Sequence, residues 1–92
     1  MIRQGDGTRI VGDRDDGPSD EARRALLAIY RALREKGYDP VRQIANFLLS
    51  GEPTYITAHR NARSIAQKLE RDEVIEELLR FYLRALDEAH GR

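Results

Sequence analysis

The side chains of this chain that could do chemistry are few, and most of them are cations. Arg60, Arg63, Lys68 and Arg71 fall in one twelve-residue stretch, with His59 at its edge. Residues three apart share a face of a helix, so a helix here would pair Arg60 with Arg63 and Lys68 with Arg71. Ser64, Ile65, Ala66 and Gln67 lie between the pairs, and none of them is basic. The stretch reads either as an anion- or partner-binding surface or as a charged face neutralised by glutamates such as Glu70 and Glu73. Composition alone favours the second reading.

The remaining candidates for chemistry are weaker. Catalysis needs convergent groups with shifted pKa values, yet His59 and His90 are the only histidines and stand far apart. His59 has Arg60 beside it, which disfavours imidazolium, and reads as a solvated or capping residue. His90 sits at a terminus expected to fray. Glu70, Asp72, Glu73, Glu76 and Glu77 form an acidic run, but carboxylate metal sites on helices recruit histidines at i+3, and none is present. There is no cysteine, no phosphate-binding glycine loop and no nucleophile motif. A non-enzyme without metal or cofactor is expected. Thr8, the sole threonine of the first eighteen residues, is accessible to a kinase if that segment is flexible. A phosphate there adds about −1.5 to −2 charges and three strong acceptors that arginines can clamp.

Composition narrows the function further. Ninety-two residues make one small domain. Sixteen Lys and Arg balance sixteen Asp and Glu, giving a formal net charge of zero. Phosphate-gripping proteins usually carry a basic excess, so nucleic acid is disfavoured as a partner. The longest apolar run, Ala25–Tyr30, is far short of a membrane span, and the first residues have no apolar signal core. A cytoplasmic protein with no membrane insertion is expected. So small a core, with four tyrosines and two phenylalanines to cover, makes self-association expected too.

The elements that must position these residues are helical. Residues 1–18, with four glycines, Pro18 and mixed charge, lack the apolar surface to offset backbone ordering and read as a flexible arm. A helical domain is expected over 19–88, with 89–92 frayed. The first helix starts at Ser19 or Asp20, carries Ala22, Ala25, Leu26, Ile29 and Leu33 on one stripe, and stops at Gly37. Asp39-Pro40 caps and starts a second helix, with Val41, Ile44, Ala45 and Leu48 as its stripe, widened by Phe47 and Leu49, and with Gly51 as its stop. A third helix is expected from near Thr57 through Leu69. A fourth follows at about Asp72, with Val74, Ile75, Leu78, Leu79, Tyr82 and Leu86 inward, unless the two run on across Glu70–Asp72. No segment alternates with a strand's period of two. The expected fold is all-α: a compact bundle of four to five short helices.

Several of these segments are similar to a known family. Tyr30-x-x-Leu33-x-Glu35-Lys36-Gly37-Tyr38-Asp39-Pro40-Val41-x-Gln43-Ile44 resembles the IreB/ReoM family of small bacterial phosphoproteins. So do Leu48–Ile56, Asn61-Ala62-Arg63 and the run from Leu69 through Leu78 to Tyr82-Leu83. The resemblance covers most of residues 26–83, in order and with matching gaps. It implies a helical homodimer with a mobile N-terminal arm. It implies a substrate of a membrane Ser/Thr kinase that senses the cell wall, with a cognate phosphatase. The unphosphorylated form would promote Clp-protease degradation of the first committed enzyme of peptidoglycan precursor synthesis, and phosphorylation would relieve that effect.

Carried over residue by residue, the resemblance makes Thr8 the phosphosite, within Asp6-Gly7-Thr8-Arg9-Ile10-Val11. The second arm threonine of some relatives falls on Gly5. Arg63 and Arg71 match the arginine pattern of the family's third helix. Ala58 and Gln67 stand where relatives commonly carry basic residues, which makes Arg60 and Lys68 the substitutes. The partner-binding set is therefore Arg63, Arg71, Arg60 and Lys68, and the direct partner is the Clp machinery or its substrate enzyme. The alternative from a different class is a DNA-binding helix-turn-helix protein, with the basic third helix reading the groove.

Overall fold

Two acids, Asp20 and Glu21, occupy the first turn of helix α1 (Asp20–Glu35), where the positive end of the helix dipole favours them. The computed structural model describes residues 20–90 of the chain. The expected arm, Thr8 included, and Gly91–Arg92 lie outside the described residues. Ile29, Ala32 and Leu33 of α1 are buried, with Leu26 half-buried beside them. Tyr38 N–H bonds back to the Leu33 carbonyl at 2.9 Å, across Gly37 at φ +83°. That left-handed stop is the one expected at Gly37.

Helix α2 (Pro40–Ser50) begins as its sequence dictates. The Asp39 carboxylate accepts from the Val41 and Arg42 amides at 3.1 and 3.3 Å, and Pro40 fills the first helical position. Its inner face is Ile44, Phe47 and Leu48. Val41, Ala45 and Leu49 face solvent, Val41 and Leu49 at 78% and 81% exposure. The expected stripe is therefore too wide: among the described residues α2 is covered on one side only.

Between α2 and the next helix the chain makes two short 3-10 turns, Pro53–Tyr55 and His59–Asn61. Ile56, between them, is fully buried. Gln43 of α2 fastens this stretch by donating to the Tyr55 carbonyl at 3.0 Å. Helix α3 (Ala62–Gln67) is shorter than expected and starts later. The reason is local: Arg60 and Asn61 are both left-handed, at φ 54° and 63°, which no helix can continue through. The Thr57 hydroxyl still caps the turn, accepting from the His59 amide at 3.2 Å.

Helix α3 is also separate from α4 (Arg71–Ala89). Lys68 and Leu69 tighten the end of α3 through bonds to the Ile65 and Ala66 carbonyls, and Glu70 is extended, at φ −85° and ψ 100°. A continuous helix is thus excluded. Ala62 and Ala66 of α3 share one buried cluster with Ile29, Ala32 and Leu33 of α1. With only methyl groups in the way, α1 and α3 can approach closely. Val74 is the sole buried residue of α4, with Ile75 packed beside it. Leu78, Leu79, Tyr82 and Leu86, expected inward, are 42%, 51%, 60% and 38% exposed. A 19-residue helix is about 28 Å long, and among the described residues only its first turns meet other elements. Among the described residues the fold is four α-helices and two 3-10 turns without a strand.

Gly37 and Gly51 are both left-handed, but only one of them is crowded. A Cβ on Gly37 would meet nothing within 4 Å, whereas on Gly51 it would lie 2.8 Å from the Arg71 guanidinium carbon. Gly37→Ala should cost about 1 kcal/mol from backbone strain alone. Gly51→Ala should cost more, because Arg71 must also move. Urea denaturation checks this; equal losses would mean that the Arg71 contact carries no stability.

Candidate functional site

The cations singled out in the sequence stand on turns and helix ends rather than on one helical face. Arg60 precedes α3 in a left-handed conformation, Lys68 is its C-cap, and Arg71 is the first residue of α4. The helical pairing of Arg60 with Arg63, and of Lys68 with Arg71, therefore does not occur. None of the four pairs with Glu70 or Glu73 among the described residues.

Each arginine is directed to a different anchor. Arg63 Nε donates to the Ile56 carbonyl at 2.8 Å, in a partly buried position. That carbonyl belongs to a buried residue outside any helix, so no ladder bond would satisfy it. Arg71 Nη1 donates to the Leu48 carbonyl at 2.9 Å. Leu48 lies in the last turn of α2, whose final carbonyls lack intrahelical partners and carry the negative end of the dipole. A guanidinium meets both needs. Lys68 is exposed and has no ion-pair partner among the described residues.

Arg60 and His59 share a third anchor. The Glu35 Oε1 atom lies 2.8 Å from His59 Nε2 and accepts from Arg60 Nε at 2.7 Å. Glu35 is the last residue of α1, an end where the dipole disfavours a carboxylate. The Arg60 guanidinium and a hydrogen bond from His59, both from one turn, offset that. The hydrogen bond from His59, then that from Arg60, holds the Glu35 pKa below its ordinary 4.5, with desolvation acting the other way. Sequence reasoning gave Glu35 no site role. Its available signal was an acid in a helix's last turn, against the dipole.

The acidic run behaves as a solvated helix start. Asp72 and Glu73 lie in the first turn of α4, and Asp72 Oδ1 accepts from the Glu73 amide at 3.0 Å. Glu76 pairs with Arg80 along α4 at 3.4 Å, and Glu77 with Arg23 of α1 at 3.1 Å. No group of His, Asp or Glu among the described residues could hold a metal ion. No described helix is long and apolar enough to cross a membrane. His90 follows the last helical residue, its amide bonded to the Leu86 carbonyl.

What the fold defines is a small all-α domain whose arginines hold its turns and helix ends in place. The matching family model is that of the IreB regulatory phosphoprotein, over residues 6–84. A UPF0297 protein of Ruminiclostridium cellulolyticum is 52% identical over 69 residues, covering 75% of this chain and 78% of its own. Another from Acetivibrio thermocellus is 59% identical over 63 residues, covering 68% and 70%. The chain belongs to the IreB regulatory phosphoprotein family, and its role is regulatory; this is not a known enzyme family.

The Glu35 link sets a pH dependence with a definite sign. Its contribution is complete above the ordinary carboxylate pKa and is lost as pH falls through the lowered one, because the unfolded chain takes up the proton first. The urea midpoint should therefore fall more steeply from pH 6 to pH 3 in the wild type than in Glu35→Gln. Identical slopes would show that the link contributes nothing.

Proposed function

We propose that this protein is a phosphorylation-switched, non-enzymatic regulator of peptidoglycan synthesis, acting in the cytoplasm. Family membership over residues 6–84 carries this reading, since the matched segment includes Thr8 as well as the helical domain. In the proposal, a membrane Ser/Thr kinase modifies Thr8 and a phosphatase reverses it. The unphosphorylated form promotes degradation of the first committed precursor enzyme by a Clp protease. The partner contact lies on the turn-rich side carrying Arg60, Arg63, Lys68 and Arg71.

Two physical features favour an interaction role of this kind. Arg60 and Lys68 are exposed, at a bend built from short elements. The outer part of α4 also presents Leu79, Tyr82, Leu83 and Leu86 at i, i+3, i+4 and i+7, an apolar stripe with no cover in one chain. We assign that stripe to a homodimer contact. The DNA-binding alternative gains no support, since α3 is six residues long and three of the four cations are engaged by the protein's own acceptors.

Incubation with the cognate kinase and mass-spectrometric mapping should place phosphate on Thr8; phosphate only on the helical domain would overturn the switch. Charge reversal at exposed Lys68 should weaken regulated proteolysis without unfolding the domain. Arg63→Ala, by contrast, should also destabilise the fold by about 1–3 kcal/mol, because it orphans the Ile56 carbonyl. For the dimer, light scattering should give twice the 10.6 kDa chain mass, and Leu79→Asp combined with Leu86→Asp should give the monomer. A monomeric wild type at micromolar concentration would refute the contact.

A further inference from the structure

His59 and Arg60 converge on a single oxygen of Glu35, and this arrangement has the form of an anion site closed by the protein itself. Both donors come from one turn, in which Arg60 and Asn61 are left-handed. That backbone turns two successive side chains toward the end of α1. The His59, Arg60 and Glu35 side chains are 33%, 66% and 44% exposed, so the site is open to solvent. Both bonds fall on Oε1, and Arg60 keeps its two terminal nitrogens without a partner among the described residues. Exposed ion pairs of this kind hold weakly. A phosphate monoester carries nearly twice the charge of a carboxylate and three acceptor oxygens. It can serve each donor with a separate oxygen, and the terminal nitrogens of Arg60 as well.

We propose that His59 and Arg60 form a phosphate-binding fork that Glu35 occupies in the unmodified chain, and that the phosphate on Thr8 displaces Glu35 there. The choice of ligand rests on the phosphorylation reading given above; the fork itself rests on geometry. Reach permits the exchange. Asp20 lies twelve positions after Thr8, and twelve such steps span up to about 40 Å. Asp20 and Glu35 lie at opposite ends of α1, about 23 Å apart along its axis. The distance to be bridged is therefore within the length of the intervening chain. Other charges near this end of α1 are Arg31, Arg34 and Lys36, and the Asp39 carboxylate, which is taken by the Val41 and Arg42 amides. The three cations add to the attraction. Arg63, the nearest cation of α3, is held at the Ile56 carbonyl. In this scheme phosphorylation frees the Glu35 carboxylate and puts the Thr8 phosphate at the His59–Arg60 turn.

The test uses full-length protein with phosphothreonine installed at position 8 by chemical ligation, so it does not depend on any kinase. Side-chain NMR should show the His59 ring and Arg60 Nε–H signals shifting on phosphorylation, by the same amount at all protein concentrations. Inorganic phosphate added to the unmodified protein should move the same signals in the same direction at millimolar concentration. Glu35→Gln should lower the half-saturating phosphate concentration at least threefold, and Arg60→Gln should abolish both responses. Unshifted His59 and Arg60 signals in the phosphorylated chain would overturn the proposal, as would shifts that survive Arg60→Gln. A response to free phosphate without one to phosphothreonine 8 would overturn the arm as the ligand's source. Kinase mapping that finds no phosphate on Thr8 would instead overturn the phosphorylation reading, and leaves the fork to be judged on the ligated protein.

Discussion

A buried residue in a segment without a helix creates a debt of hydrogen bonds that something else must meet. Ile56 is fully buried, yet it lies between two 3-10 turns. Its amide is satisfied locally, by the Pro53 carbonyl at 2.9 Å, but its carbonyl has no ladder partner and takes the Arg63 side chain instead. That one bond joins the start of α3 to the loop before it. Arg63 lies between the buried Ala62 and Ala66 in sequence, so the tie and the core contact act on the same short helix. The same logic recurs where Arg71 meets the Leu48 carbonyl, which fixes the start of α4 at the end of α2. A core of nine buried residues, three of them alanine, leaves much of the geometry to such ties.

The helices themselves were legible where local chemistry decides. Asp39-Pro40 and Gly51 bound α2 as expected, because a capping carboxylate, a proline and a left-handed glycine act within a few residues. Gly37 ends the α1 segment for the same reason. The third helix was misplaced because nothing in His59-Arg60-Asn61-Ala62 forbids a helix by propensity. Two consecutive left-handed residues, one of them arginine, arise from burial of Ile56 on one side and attachment of Glu35 on the other. Tertiary contacts of that kind leave no periodic trace.

The candidate site was legible in composition but not in arrangement. A run holding Arg60, Arg63, Lys68 and Arg71 promised a helical face, and the chain instead spreads those residues over a turn, a six-residue helix, a cap and a new helix. Identical residue types therefore do different work. Arg63 and Arg71 complete the backbone's hydrogen bonding, Arg60 pairs with a carboxylate, and Lys68 is left to solvent. Glu35 escaped notice because nothing within its own helix explains it; its partners lie 24 and 25 residues further along the chain.

The exposed stripes of α2 and α4 have a different origin from the misplaced helix. Val41, Ala45 and Leu49, like Leu79, Tyr82 and Leu86, keep strict helical spacing, so reading them as apolar faces was sound. What the structure overturns is their inward placement among the described residues. Periodicity reports that a face is apolar, and says nothing about which molecule lies against it. A domain of four short helices has too little surface to enclose every apolar stripe it carries. The arginine ties hold the four helices in their arrangement without covering these faces. That division has a physical consequence: the exposed apolar faces are separate from the contacts that define the fold, so a face can be covered or altered without unravelling the domain.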